Sequence, residues 1–430
     1  MTEGKINMVN HFNKSKSQKK IVVAMDSFKG SLTSMEAGNA VRDGILEQYP
    51  DVDVQIFPVA DGGEGTVEAL TFAKEHVQAR TISVTGPIGT EVLAWYTIYE
   101  QAGEKTAVLE MAQAAGLPLV PEEKRNPMHT TTYGVGEMIR DAITCGCRKF
   151  ILGIGGSATN DAGIGMLQAL GFHFMDEEGR EVDYGAEGLA HVRAITTEDV
   201  MPELASCTFR IACDVTNPLV GAQGCSAVFA PQKGADAKMV QKMDAAMNRY
   251  ADIVEEMYRK NPTPIENQLT GYDEAGKNLE KTDRQSQVKN RMTPGTGAAG
   301  GGLGYACLMF LHAALKPGID IVLDEIQIEQ AIKTADAVIT GEGRLDAQTL
   351  MGKTPIGVAR IAKSYEVPVY AFAGCFGADV QTCIDSGVFA GCYAASTANT
   401  EEEKRLAMEK KQAYANLKEC VKAHFFEENN

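Results

Sequence analysis

The sequence lacks an excess of basic residues. Its 430 residues include 41 Lys and Arg against 57 Asp and Glu, which gives a formal net charge of −16. Nucleic-acid binders and proteins of the membrane surface need a basic footprint, so this balance argues against either partner. The length favours two or three domains, each large enough to bury a core. The acidic excess leaves open how an anionic substrate would be held.

Cysteines are neither dense nor spaced as in a disulfide scaffold, since the chain holds 10 of them and no C-x-x-C. This usage is typical of a reducing compartment, and we expect a cytoplasmic protein. Residues 1–19 are rich in lysine and carry no apolar stretch of a secretory signal, so a disordered leader is expected there.

Known catalytic motifs of several classes are also missing. The 7 His form no H-E-x-x-H, no G-x-S-x-G occurs, and no Cys/His spacing suits zinc. The segment 292–315 is uncharged and could span a membrane by length alone. Its first half is crowded with glycine, however, and therefore predicts a glycine loop that enters a buried helix.

Glycine is abundant, with 43 residues, and clusters where apolar runs end. Helical spacing of Ala37, Val41 and Ile45 predicts a helix over 33–49. Strands are predicted at 21–25, 55–59, 93–99, 107–111, 149–152, 209–213, 337–340 and 367–372. This alternation indicates an α/β fold with mostly parallel sheets, in which ligands bind at the carboxyl ends of strands.

A first glycine loop follows the strand at 149–152 and contains Gly153-x-Gly155-x-x-Ala158. It matches a dinucleotide-binding fingerprint, but a tight turn without a ligand is about equally compatible with it. The polar residues from Ser157 onward are more than such a turn needs. Asp176, the acidic residue at a suitable distance, follows no clear second strand.

Two further segments are candidates for binding anions. Residues 347–354 read AQTLMGKT, a relaxed Walker A pattern, but no strand directly precedes it, so a P-loop is rejected. Residues 294–304 read PGTGAAGGGLG ahead of an apolar helix, where free N–H groups could hold an anion. Close helix packing through small residues is the alternative.

Carboxylates follow several predicted strands. The turns are DSFKGS from Asp26, ADGGEG around Asp61, TGEGRLD around Glu342, and CDVTNP around Asp214. Each turn alone is more often a capped loop. Together, beside glycine-rich loops, they favour a nucleotide site in which Mg²⁺ is bound by oxygen ligands.

In this order, the turns resemble the bacterial glycerate kinase family of the glycerate 2-kinase type. The resemblance extends from IVVAMDSFKGSL through PVADGGEGT, RNPMHTTTYGVGE, ILGIGGSATNDAG, ACDVTNPLVG, FAPQKGA and PGTGAAGG to VITGEGRLDAQTLMGKTP, and covers roughly residues 20–400. It implies ATP-dependent, Mg²⁺-assisted phosphorylation of D-glycerate, usually to 2-phosphoglycerate. The basic leader, a long polar segment at 261–291 and an extra glycine in the 300–302 run depart from the family pattern.

The resemblance also implies two three-layer α/β domains, the second inserted into the first, with the active site in the cleft between them. The first domain, Rossmann-like, would comprise 20–85 and 295–430, and the insert 86–294, with the polar surface loop at 261–291. A small-molecule substrate is expected, without nucleic acid or membrane; the oligomeric state is left open.

Roles for individual residues follow as a hypothesis from this resemblance. The cations expected to offset phosphoryl charge or hold the glycerate carboxylate are Lys29, Arg344 and Lys353. The carboxylates from which Mg²⁺ ligands and a base would be drawn are Asp61, Glu64, Asp214, Glu342 and Asp346, with the metal assigned to the last two. The residues expected to cradle nucleotide phosphates are Gly155, Gly156, Ser157, Gly295, Gly297, Gly300 and Gly301.

Two other functions remain open at this point. An NAD(P)-dependent oxidoreductase of the Rossmann type would rest on Gly153–Ala158 alone. A non-catalytic nucleotide-binding protein of the same fold would keep the loops without the chemistry.

Overall fold

The computed structural model describes residues 19–62, 65–72, 74–260, 291, 295, 297–398 and 400–425. The leader through residue 18, Glu64 and most of the 261–291 segment therefore lie outside the described residues. The strands, in chain order, are β1 (Lys20–Met25), β2 (Asp53–Ile56), β3 (Glu75–Thr85), β4 (Glu91–Gln101), β5 (Glu104–Glu110), β6 (Lys149–Gly153), β7 (His173–Met175), β8 (Ala194–Thr196), β9 (Thr208–Ala212), β10 (Ala314–Lys316), β11 (Ala337–Gly341), β12 (Arg344–Leu345), β13 (Val369–Ala373), β14 (Cys375–Phe376) and β15 (Gly391–Ala394).

The α-helices are numbered in the same way. They are α1 (Ser34–Gln48), α2 (Thr66–Thr71), α3 (Ala112–Ala115), α4 (Tyr133–Thr144), α5 (Ile164–Ala169), α6 (Gly185–His191), α7 (Cys225–Phe229), α8 (Ala237–Lys260), α9 (Leu303–Phe310), α10 (Gly318–Glu325), α11 (Ile328–Ile332), α12 (Thr354–Ser364), α13 (Val380–Asp385), α14 (Glu401–Met408) and α15 (Lys410–His424).

The chain divides into two compact units. The first unit combines both chain ends, Met1–Phe72 and Pro317–Asn430. Its sheet has the strand order β15-β13-β11-β1-β2, and every neighbouring pair is parallel. The strands β1 and β11 are apolar and almost wholly buried, as expected for a parallel sheet covered on both faces. Helices α1 and α15 pack together in its core.

Helix α1 begins where the sequence predicts it. The Thr33 side chain accepts a hydrogen bond from the backbone N–H of Glu36, and the Glu36 carboxylate accepts one from the backbone N–H of Thr33. This capping box satisfies two amide groups that would otherwise have no partner in the first turn. The chain is thereby turned from the end of β1 back along the sheet.

The second unit comprises Ala73–Lys316. Its main sheet has the order β10-β9-β6-β5-β4-β3, parallel from β10 to β5 and antiparallel from β5 to β3. The predicted α/β class with mostly parallel sheets is therefore confirmed. Strand β3 is missing from the sequence prediction because most of its side chains are exposed and its residues are largely polar.

The unit boundaries differ from the expected ones. Residues 73–85 and 295–316, expected in the first domain, belong to the second unit. The cause is strand pairing and core packing. Strand β3 pairs with β4 up to Thr85, β10 pairs with β9, and α9 contributes to the same apolar core.

None of the helices in the described part of the chain is long and apolar enough to cross a membrane. The uncharged segment 292–315 contains the short helix α9 and the start of β10, and α9 is almost entirely buried in the core of the second unit. The glycine loop that leads into a buried helix is thus observed from Gly297 onward.

Candidate functional site

Two carboxylates of the first unit lie at the carboxyl ends of adjacent strands. Strand β1 pairs with β11 so that Met25 is opposite Gly341. Asp26 and Glu342 are the next residues, and the backbone N–H of Asp26 donates to the carbonyl of Gly341 at 2.8 Å. The sheet thus brings together two turns that are more than three hundred residues apart in sequence.

Lys353 sits between two of the predicted metal ligands. Its ammonium group is 3.3 Å from a carboxylate oxygen of Glu342 and 3.7 Å from one of Asp346. The Thr349 hydroxyl donates to the other oxygen of Glu342 at 2.7 Å. Burial raises the pKa of Glu342, against the effects of Thr349 and Lys353. These three predicted residues therefore form one cluster, with a cation already inside it.

The local fold explains why this cluster forms. Asp346 caps the 3₁₀ helix Ala347–Met351: its carboxylate accepts from the backbone N–H of Gln348 at 3.0 Å. Gly352, at φ +102°, then turns the chain into α12. The short strand β12 ends just before the AQTLMGKT segment, so the expectation that no strand directly precedes the segment is wrong. A 3₁₀ helix stands where a P-loop would have an open glycine-rich loop, and this still does not fit a P-loop.

Asp26 is the residue of this site that sequence reasoning did not select. Only 8% of it is exposed, and its carboxylate accepts from the Thr354 hydroxyl at 2.5 Å and from the backbone N–H of Ser27 at 2.6 Å. Burial, with repulsion from Asp61 and Glu342, raises the pKa of Asp26 to about 7. A carboxyl group with that pKa can accept or give a proton near neutral pH.

The other predicted residues of the first unit lie on the surrounding loops. Asp61 follows β2 and is near enough to Asp26 to repel its charge. Lys29 and Arg344 are exposed. Their loops pack together, since a Cβ on Gly343 would lie 3.4 Å from the Cα of Phe28. The structure thus brings Asp61 close to Asp26, and places Lys29 and Arg344 on adjoining loops.

In the second unit, the turn after β6 presents exposed backbone. Gly155 and Gly156 are exposed, and Gly156 has φ +71°. The turn is fixed by hydrogen bonds from Leu117 N–H to the Gly156 carbonyl and from Ala158 N–H to the Ala115 carbonyl. The next helix, α5, begins only at Ile164, so the strand–turn–helix context of a dinucleotide fingerprint is absent here. The oxidoreductase alternative loses its main support.

Gly297 and Gly301 are packed against the protein's own backbone, whereas a Cβ on Gly295 would meet no atom within 4 Å. Gly295 N–H donates to the Thr216 carbonyl at 2.7 Å, just past the exposed Asp214. Gly297 and Gly301 are buried, and a Cβ on Gly301 would lie 2.0 Å from the Thr159 carbonyl oxygen. Close packing accounts for glycine at 301. Anion binding by Gly295, Gly297, Gly300 and Gly301 stays a prediction.

The carboxylates of the first unit could supply some, but not all, of the ligands of an Mg²⁺ ion. No group of three or more His, Cys, Asp or Glu among the described residues is arranged as a metal cage. The charges of Asp61 and Glu342 both raise the pKa of Asp26, so these two carboxylates lie near the Asp26 carboxyl. Mg²⁺ commonly uses one or two carboxylates and takes its other ligands from water and phosphate.

Comparison with known proteins gives a consistent result. Residues 21–425 match the model of the glycerate kinase family. A glycerate kinase of Haemophilus influenzae is 44% identical over 371 residues, which cover 86% of this chain and 89% of that protein. A protein of Escherichia coli K12 named glycerate 2-kinase is 42% identical over 384 residues, covering 89% and 92%.

A solved structure described as glycerate kinase 2 of Salmonella typhimurium LT2 is similar with a TM-score of 0.76. It is 38% identical, and the match covers 95% of this chain and 99% of that one. The resemblance carried by the sequence motifs is confirmed. The chain therefore belongs to the glycerate kinase family and is an enzyme of the glycerate kinase type.

Proposed function

We propose that the chain transfers the γ-phosphoryl group of ATP to D-glycerate and forms 2-phosphoglycerate. The family supports a glycerate substrate, and the name of the Escherichia coli relative supports the 2-position. The observation that carries the proposal is the buried carboxyl of Asp26, with a pKa of about 7, beside the cluster of Glu342, Asp346 and Lys353.

In this proposal Asp26 is the general base. Its ionised form accepts the proton of the attacking glycerate hydroxyl, while the Thr354 hydroxyl and the Ser27 N–H hold its two oxygens in place. Phosphoryl transfer otherwise needs mainly positioning and neutralisation of charge. Lys29, Arg344 and Lys353 supply positive charge, and arginine suits a carboxylate because it can bind it through two parallel hydrogen bonds.

Glu342, Asp346 and Asp61 are the carboxylates that we propose for Mg²⁺. When bound, the ion neutralises charge on the phosphate oxygens of the nucleotide. Lys353 would then exchange its contacts with Glu342 and Asp346 for contacts with phosphate. Glu64 and Asp214 remain in the proposed pool, the first from outside the described residues and the second from the end of β9.

The nucleotide phosphates are assigned to the second unit. The exposed backbone of Gly155 and Gly156 can approach an anion closely because no side chain intervenes. The glycines at 295–301 are proposed as a second contact, with the packing of Gly301 setting their conformation.

The test is ADP release measured with D-glycerate, ATP and Mg²⁺, with the product identified by phosphorus NMR. We expect ADP release that depends on all three and a 2-phosphoglycerate signal, and chelation by EDTA should abolish it. ADP release independent of glycerate, or none, would contradict the proposal, and a 3-phosphoglycerate signal would contradict the regiochemistry.

A further inference from the structure

Lys233 is a buried lysine of the second unit that the proposed reaction does not use. It is 3% exposed and ends the 3₁₀ turn Pro231–Lys233. Its N–H donates to the Ala230 carbonyl at 2.9 Å. Gly234 follows at φ +98°, where a Cβ would lie 2.4 Å from the Arg125 carbonyl oxygen. The backbone of Lys233 is therefore fixed by its own turn.

The side chain of Lys233 reaches the turn after β6. Its Nζ donates to the Ser157 hydroxyl oxygen at 2.7 Å and to the Thr159 carbonyl at 2.6 Å. Burial lowers the pKa of Lys233, while the nearby Cys225 thiol and Asp161 carboxyl act in the opposite direction and raise it. An apolar side chain of similar size would avoid this desolvation cost. The lysine thus donates two hydrogen bonds to one short loop, and its desolvation lowers the stability of the fold.

These contacts determine how the Ser157 hydroxyl can act. A lysine ammonium only donates, so the Ser157 oxygen serves as acceptor on that side and its own hydrogen is left to donate elsewhere. The residues before it, Gly155 and Gly156, are exposed, and a Cβ on Gly155 would meet no atom within 4 Å. Ser157 itself is 8% exposed, so the loop is open to a ligand at Gly155 and Gly156, directly before a hydroxyl that accepts from Lys233.

We propose that Lys233 is a positioning residue that holds the Ser157 hydroxyl as a donor to an anionic oxygen of a substrate. The oxygen belongs to a nucleotide phosphate or to the glycerate carboxylate, which share this chemistry. The inference rests on the proposed function. It concerns the binding of a substrate, whereas the role proposed for Asp26 is proton transfer.

The test is a double-mutant cycle in the full chain with Ser157→Ala, Lys233→Met and the double variant. KM is measured separately for ATP and for D-glycerate. Each single change should raise one of the two KM values about tenfold, as expected for loss of one hydrogen bond to a charged group. The affected substrate identifies the source of the oxygen. In the Ser157→Ala background, Lys233→Met should add less than about twofold.

Thermal stability separates positioning from a structural role. Lys233→Met should lower the melting temperature in both backgrounds, because its bond to the Thr159 carbonyl is lost in either case. Ser226→Ala is the matched control, since this buried serine of the same unit accepts from the Asn160 amide at 2.9 Å. It should lower the melting temperature and leave both KM values unchanged.

Independent, multiplicative losses in the double variant would overturn the proposal, as would Ser157→Ala with both KM values unchanged. A wild-type chain without glycerate-dependent ADP release would contradict the proposed function instead. Coupling would then be measured by calorimetric binding of ATP and of D-glycerate to the same variants. Should Lys233→Met fail to fold, Lys233→Gln replaces it in the same cycle.

Discussion

Each unit buries an ionisable side chain beside a loop of the proposed site, and these two side chains have opposite charge. Asp26 in the first unit is 8% exposed, and Lys233 in the second is 3% exposed. Burial shifts both pKa values towards the neutral form, upward for Asp26 and downward for Lys233. Both side chains are hydrogen-bonded to a hydroxyl and to the backbone. The ionisable groups around them differ: Asp26 is repelled by the carboxylates of Asp61 and Glu342, whereas Lys233 lies near the Asp161 carboxyl and the Cys225 thiol.

This difference separates two tasks that a kinase must perform. A cluster of carboxylates can accept protons and attract cations, while a loop of glycines with a supported hydroxyl can receive anionic oxygens. The net charge of −16 is therefore compatible with anionic substrates, because positive charge is needed only at a few positions.

Removal of the Asp26 carboxylate should have the largest effect. Asp26→Asn keeps the shape but cannot accept the substrate proton, so kcat should fall about 10²–10⁴-fold. The kcat of this variant is measured by steady-state ADP release. Glu68→Gln is the control, since burial also raises the pKa of this carboxyl in the same unit. Equal effects of both changes, or near-normal turnover of Asp26→Asn, would remove Asp26 as the base.

The same variant should be more stable than the wild type at neutral pH. Because the folded-state pKa of Asp26, about 7, exceeds its ordinary value of 3.8, its contribution to stability is fully present below pH 4 and is lost as the pH rises through 7. Asp26→Asn should therefore gain about 4 kcal/mol relative to wild type at pH 8 and little at pH 4. Urea unfolding at both pH values measures this difference.

Loss of the Lys29 charge should have the next largest effect. Lys29→Ala should lower kcat about 10²–10³-fold, as for removal of a group that stabilises transition-state charge. The side chain is exposed, so the circular dichroism spectrum and melting temperature should not change. Lys363→Ala, at another exposed lysine of the first unit, should retain full activity. Near-normal turnover of Lys29→Ala would disprove the assignment.

A comparison of two glycines of the second unit can show whether Gly301 is required for close packing. Gly301→Ala should lower the free energy of unfolding by about 2–3 kcal/mol, since its φ is +74° and its Cβ would meet the Thr159 carbonyl. Gly89→Ala has a similar φ of +77° but free space, and should cost only about 1 kcal/mol. Equal losses would contradict tight packing at Gly301.

The smallest effect expected is on the pH dependence. Since the Thr354 hydroxyl lowers the pKa of Asp26, Thr354→Val should shift the acidic limb of the kcat–pH profile from near pH 7 to higher pH. Plateau activity at alkaline pH should be largely retained. An unchanged limb would show that another group controls the profile.

The sequence predicts the strands that are continuously apolar, such as β1 and β11, almost to their ends. It misses β3, because an exposed, polar strand has no apolar period. It places Glu342, Asp346 and Lys353 in one site because a single motif contains them. Asp26 and Lys233 are not identified from the sequence, because their hydrogen-bond partners are distant in it. Thr354 lies 328 residues from Asp26, and Ser157 lies 76 residues from Lys233. Such pairs are defined only by the folded chain.

The sheet of the first unit also constrains the order of events during synthesis. Strand β1 lies inside the sheet, between β2 and β11, and β11 lies 316 residues later in the sequence, as the hydrogen bond from the Lys20 N–H to Asp336 illustrates. Until that part of the chain has left the ribosome, the apolar β1 has only β2 beside it. The second unit, continuous in sequence, can form first. A truncated chain would therefore expose β1, and we expect nascent first-unit strands to depend on chaperones.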